Sequence, residues 1–91
     1  MKKWRYVIKD INRDVFYKSG YEYKDEQDAI DDGVCMRENL AAERLVKAGE
    51  VEYTLEQWIN EVSSITWRDI NLTDRMAKEW FIIETDFIEE E

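Results

Sequence analysis

Lys3-Trp4-Arg5-Tyr6-Val7-Ile8-Lys9, followed by Asp10–Asp14 and Val15-Phe16-Tyr17-Lys18-Ser19-Gly20-Tyr21-Glu22-Tyr23, is the stretch on which the fold turns. Residues 3–9 alternate. Trp4, Tyr6 and Ile8 fall on one side, and Lys3, Arg5, Val7 and Lys9 on the other, which is the signature of a half-buried strand. Asp10–Asp14 is rich in Asn and Asp and reads as a turn. Residues 15–23 read as a second strand, with Gly20 marking a bulge or bend inside it. The two strands should form an antiparallel hairpin. Outward from the hairpin, residues 79–88 (Glu-Trp-Phe-Ile-Ile-Glu-Thr-Asp-Phe-Ile) are β-branched and aromatic, and should pair with it.

The segment between is helical. Asp25 is an N-cap candidate, and Ile30, Val34, Arg37, Ala41, Leu45 and Ala48 recur at helical spacing, widened by Ala29, Met36 and Leu40. Gly33 inside this helix marks a kink or a close packing contact. Gly49 fits the position after the last turn. Thr54-x-x-Gln57 is a capping box, flanked by Tyr53 and Trp58 at the staple positions. The buried face of that helix should comprise Leu55, Trp58, Ile59 and Val62, with Ser63-Ser64 ending it. Thr66 and Thr73 could each cap a short turn anchored by Trp67, Ile70, Leu72 and Met76. The expected architecture is α+β, order ββαα(α)β: an antiparallel sheet, made of the N-terminal hairpin and the C-terminal strand, packed on two main helices. Residues 1–91 fit one domain with a thin core, since a chain of this size buries roughly 60% of its unfolded surface.

Composition removes most catalytic chemistry. The chain has no histidine, so triads built on imidazole and His-ligated metals are excluded. Cys35 is alone, can form no internal disulfide, and in its apolar helix stretch reads as core filler rather than a nucleophile. The three glycines are scattered, so no phosphate-binding loop exists. Aligning Gly33 with the sixth position of a calcium loop puts Asp28, Ile30, Asp32 and Asn39 at positions one, three, five and twelve; the second and last cannot ligate as required. No cofactor, metal or catalytic residue is expected. Neither a membrane-length apolar run nor the apolar core of a signal peptide is visible, which leads us to expect a cytoplasmic protein.

What remains is charge. The net charge is −9 and it is unevenly spread. Residues 1–24 hold seven basic groups against three acids, for +4, and the rest hold six against nineteen, for −13. Asp25, Glu26, Asp28, Asp31 and Asp32 crowd one helix start, and Glu84 and Asp86 lie in the last strand, ahead of Glu89–Glu91. Glu38 extends the series along the first helix. Acids in a first helical turn favour the macrodipole, and charged helix faces are usually just solvated. Asp31 and Asp32 lie past that turn and gain little from it. Asp25, Glu26, Asp28, Asp31, Asp32, Glu38, Glu84 and Asp86 are therefore the candidate partner-binding residues. An acidic surface of this kind repels duplex DNA and membranes and attracts basic protein surfaces.

In length, acidity and acidic tail the chain resembles small phage-encoded inhibitors of bacterial defence, the DNA-mimic anti-restriction and anti-CRISPR proteins. The resemblance is one of overall character. It implies a host defence protein with a Lys/Arg-rich nucleic-acid groove as partner, occupied by carboxylates in place of phosphates, inside the host cytoplasm. The opening strands and helix are also similar to the arm-type DNA-binding domain of phage integrases, but here the hairpin is joined to an acidic helix. Two other expectations stand beside mimicry. One is a non-catalytic interaction module or homodimer, using a strand edge or an aromatic surface, with acidity serving solubility. The other is single-strand binding through Lys2, Lys3, Arg5, Lys9 and Lys18, with Tyr17, Tyr21 and Tyr23 as stacking groups.

Overall fold

The computed structural model describes residues 2–89. The acidic tail expected at Glu89–Glu91 lies outside the described residues apart from the Glu89 backbone, as does the Lys2 side chain. The fold is α+β. Strand β1 (Lys2–Asp10) and β2 (Val15–Lys18) are followed by helix α1 (Glu26–Ala48), helix α2 (Leu55–Asn60), a 3₁₀ turn at Val62–Ser64, helix α3 (Trp67–Trp80) and strand β3 (Phe81–Glu89). The sheet order is β2-β1-β3, antiparallel throughout.

The hairpin differs in detail from its sequence pattern. Strand β2 has four residues rather than nine. Its bulge is at Phe16, because Ile8 faces Tyr17 while Lys9 faces Val15. The Ser19 side chain explains the early end. Its hydroxyl accepts from the Tyr6 N–H (3.2 Å) and donates to the Tyr21 carbonyl (2.9 Å). A side chain thus takes the place of the ladder. Gly20–Glu22 leave the ladder, and pairing resumes where Tyr23 and Trp4 exchange two backbone hydrogen bonds of 2.6 Å. In the β1–β2 turn, the Asp10 carboxylate accepts from the Asn12 and Asp14 amides, and Arg13 takes the left-handed conformation at φ 65°.

Alternation and register divide the sheet into two faces. Trp4, Tyr6 and Ile8 share the inner face with Ile83, Thr85 and Phe87. Tyr6 and Ile8 pack with Ala29 and Ala41 of α1 and with Ala77 and Phe81 in the main core. Gly33 lets α1 come close to the sheet. A Cβ there would lie 3.1 Å from Ile83 Cγ2 and 3.2 Å from Tyr6 Cγ, so of the two readings close packing holds. The outer face carries Lys3, Arg5, Val7 and Lys9 opposite Ile82, Glu84, Asp86 and Ile88. Val7 is nonetheless only 3% exposed; its register partners Glu84 and Lys18 carry long side chains whose stems shelter it.

Helix α1 ends in a Schellman motif. The Gly49 N–H donates to the Val46 carbonyl and the Glu50 N–H to the Leu45 carbonyl, with Gly49 at φ 71°. At the other end Asp25 occupies the N-cap position, but its side chain makes no cap hydrogen bond. The expected start of α2 is fully formed. Thr54 and Gln57 cap reciprocally, and the Tyr53 and Trp58 rings stack at 5.4 Å. Tyr53 and Trp58 join Ala42 and Ile65 in a second core between α1 and the α2–α3 layer.

Several expectations for this half are corrected. Ile59 (61% exposed) and Val62 face solvent, because α2 ends at Asn60 and the chain tightens into a 3₁₀ turn that rotates both outward. Residues 67–80 form one helix, capped by Thr66 Oγ1 accepting from the Asp69 amide. Thr73 lies buried within that helix instead of capping another, donating to the Asp69 carbonyl and meeting the Tyr53 hydroxyl at 2.7 Å. Trp67, placed at the first helical residue, is 77% exposed. Trp80 belongs to α3, so the last strand starts at Phe81. Ala48 and Cys35 are exposed, so Cys35 does not fill the core.

Candidate acidic interface

Helix α1 runs 23 residues, about 34 Å at the usual rise, and its first third carries the acids. Asp28, Asp31, Asp32 and Cys35 are spaced i, i+3, i+4, i+7 and all exposed, which makes them one exposed stripe along α1. Ala29 and Gly33, on the opposite side, are buried. Asp25 extends the stripe to the helix start, whereas Glu26 falls on the side of Ala29 and Gly33 and turns toward the sheet. Glu26 accepts from the Thr85 hydroxyl at 3.0 Å, which ties α1 to β3. Asp31 accepts from Gln27 Nε2 at 2.9 Å, a neutral partner that leaves its charge uncompensated. Among the described residues none of these five carboxylates forms an ion pair.

The other three candidates lie elsewhere. Glu84 and Asp86 are on the outer face of the sheet. Lys9 and Arg13 (3.7 Å) contact Glu84, and Arg5 reaches Asp86 at 3.3 Å. Their charge is met on the spot. Glu38 is half-buried between α1 and α3, where it meets Asp74. Burial, then the hydrogen bond and repulsion from Asp74, raise the Glu38 pKa above the ordinary carboxylate range. Asp74 is lowered by hydrogen bonds from Lys78, at 3.1 Å, and from Glu38. Of the two, Glu38 is the one pushed toward its neutral form and Asp74 the one held toward its ionised form. Four of the eight candidates, Asp25, Asp28, Asp31 and Asp32, therefore converge, Glu26 turns to β3, two are neutralised on the sheet, and one serves a helix–helix contact.

The same ion pairs weaken the basic hairpin as a nucleic-acid surface. Lys3 bonds Glu22 at 3.1 Å, while Arg5 and Lys9 are engaged by β3 acids. Tyr17, Tyr21 and Tyr23, expected as stacking groups on that surface, instead line a cavity of about 280 Å³ together with Tyr6, Asp32 and Cys35. The cavity opens beside the acidic stripe, and Asp32 and Cys35 belong to both. The Tyr6 hydroxyl is pushed up to about 12, first by burial and then by Tyr17. Tyr23 is raised first by burial and then by the neighbouring Asp32 carboxylate. Sequence periodicity singled out these tyrosines but could not foresee that Ser19 folds Gly20–Glu22 back toward α1.

A larger groove of about 730 Å³ lies at the far end of α1, lined by Ile11, Phe16, Leu40, Arg44, Trp80 and Phe81 among others. The Arg44 guanidinium sits 4.6 Å from the Trp80 ring centroid there. Among the described residues no three His, Cys, Asp or Glu side chains are grouped as metal ligands would be. Among the described residues no helix is long and apolar enough to cross a membrane. No protein-family model, curated protein or solved structure matches this chain.

Proposed function

We propose that this protein is a non-catalytic inhibitor that places the first third of α1 in the Lys/Arg-rich nucleic-acid groove of a host defence enzyme, of the anti-restriction or anti-CRISPR kind. One observation carries the reading: Asp25, Asp28, Asp31 and Asp32 stand together, without basic partners among the described residues, while the sheet acids are neutralised. Like charges one helical turn apart destabilise a helix. A stripe that keeps them uncompensated is complementary to a surface built for phosphates. Helix α1 is held rigid by the sheet on one flank and α2–α3 on the other, so the stripe is preorganised and loses little entropy on docking.

The test is capture of proteins from a bacterial lysate on the immobilised chain, in low salt and in about 0.5 M salt, where the Debye length shrinks severalfold. Nucleic-acid-binding enzymes should be recovered at low salt, and be released by high salt or by added duplex DNA. Recovery that ignores both salt and DNA would sink the proposal.

A second reading draws on β3. This strand has nine residues and pairs only with β1, so its outer edge is unpaired among the described residues. Long free edges invite strand addition. A homodimer or interaction module built on that edge would show a salt-insensitive doubling of mass in sizing chromatography with light scattering. A monomer under all conditions rejects the homodimer.

A further inference from the structure

We infer that the tyrosine-lined cavity beside the acidic stripe is an anchor pocket for a single arginine side chain of the basic partner. The inference rests on the acidic-interface reading and deepens it, because it names the group on the partner that would be most tightly held.

The cavity, about 280 Å³, is smaller than pockets that take drug-sized ligands, yet has room for one long side chain. Its walls are aromatic. The Tyr6 and Tyr17 rings are 6.1 Å apart and nearly parallel, and Tyr23 lies 6.2 Å from Tyr6 at a tilt of 36°. Ring faces carry negative quadrupole density and attract cations. Met36, half-buried in the lining, is adaptable and polarisable. No Lys or Arg lines the cavity to compete for the rings.

The rim supplies charge. Asp32 is exposed and among the described residues forms no ion pair. It lines the cavity beside Tyr23, so its carboxylate oxygens stand at the mouth as acceptors for an incoming donor. Asp28, one turn back, and Asp31, the preceding residue, lie on the same stripe and draw a cation toward the mouth. The space beside Gly20 on the rim is open, with nothing within 4 Å of where a Cβ would be. Ring walls plus a carboxylate at the mouth suit a guanidinium better than an ammonium. The planar fork stacks on tyrosine while bonding a carboxylate bidentately, whereas an ammonium is a strongly hydrated point charge.

The test is aromatic and amide NMR of the full chain titrated with three blocked peptides, Gly-Lys-X-Lys-Gly, with arginine, lysine or norleucine at X. The arginine peptide should shift the Tyr17 and Tyr23 ring signals saturably, and bind on the order of tenfold more tightly than the lysine peptide. Asp32→Asn, at an exposed position that should not affect folding, should reduce arginine binding to the lysine level. Tyr17→Leu should do the same while leaving the amide shifts at Asp28 and Asp31. Equal, salt-sensitive binding of all three peptides, reported by the Asp28 and Asp31 amides alone, would overturn the anchor and leave the acidic-interface reading standing. Silence of the ring signals at saturating arginine peptide would likewise overturn it.

Discussion

Gly33 shows how a single missing methyl group sets the distance between α1 and the sheet. A Cβ at this position meets Tyr6 Cγ and Cβ at 3.2 and 3.3 Å and Ile83 Cγ2 at 3.1 Å. These atoms sit close to their own backbones and have little room to give. Gly33→Ala gains about 1 kcal/mol of helix propensity, but overpacking a core costs about 1–3 kcal/mol. The expected outcome is a lower urea midpoint at unchanged slope; a higher midpoint would mean that the sheet can retreat. A second residue-scale test is Tyr53→Phe. Thr73 gives its only hydroxyl proton to the Asp69 carbonyl, so Tyr53 is the donor in their 2.7 Å bond. Removing it should cost about 1 kcal/mol in denaturant unfolding. Sequence reading found Gly33, but it misplaced Cys35. The interval Cys35-Met36 looks apolar, yet Cys35 falls on the Asp28–Asp32 stripe, and only a fixed helix phase reveals that.

At the scale of elements, those with local signals were legible. The capping box at Thr54 and Gln57, the Schellman end at Gly49 and the β1 alternation all formed as read. Thr54→Ala should lower stability by about 1 kcal/mol through loss of the cap, read as a fall in Tm. Elements decided by tertiary contact were less legible. Strand β2 is cut short by one serine hydroxyl, and Thr73 reads as a cap until Tyr53 from another element is seen to occupy it. The site was legible to the same degree. The α1 acids follow one another in sequence, so helical spacing places them together. The ion pairing of Glu84 and Asp86 depends on strand register with Arg5 and Lys9, which composition does not contain. The Glu38–Asp74 contact joins α1 to α3 and gives its own prediction. A carboxyl whose folded pKa is raised contributes stability below its unfolded value and loses it as pH rises through the folded value. Glu38→Gln keeps a donor for Asp74 without the charge. Its Tm should exceed that of the wild type at neutral pH, by an amount worth less than about 1 kcal/mol for a half-exposed group, and the difference should vanish below the ordinary Glu range. Equal Tm values at neutral pH would show that the Glu38 charge costs the fold nothing.

For the whole molecule, charge is sorted by face. The outer sheet balances its acids with Lys3, Arg5 and Lys9, while the α1 stripe does not. The two cores are rich in tyrosine, which gives an alkaline limit to stability. Tyr6, at about 12, and Tyr23 and Tyr53, both raised, are each above the ordinary tyrosine value of 10.0. A raised folded pKa leaves their contribution intact below that ordinary value and removes it as pH climbs through the folded values. Tm should hold to about pH 10 and fall steeply by about pH 12; a fall confined to pH 8–9 would point to another group. The most direct test of the central claim compares two variants of equal charge change in the same lysate capture. Asp28→Asn with Asp32→Asn removes two charges from the stripe, and Glu84→Gln with Asp86→Asn removes two from the sheet. The stripe pair should lose most of the DNA-displaceable partners, and the sheet pair should keep them. Equal loss in both, or loss only in the sheet pair, would contradict the assignment of the interface to α1.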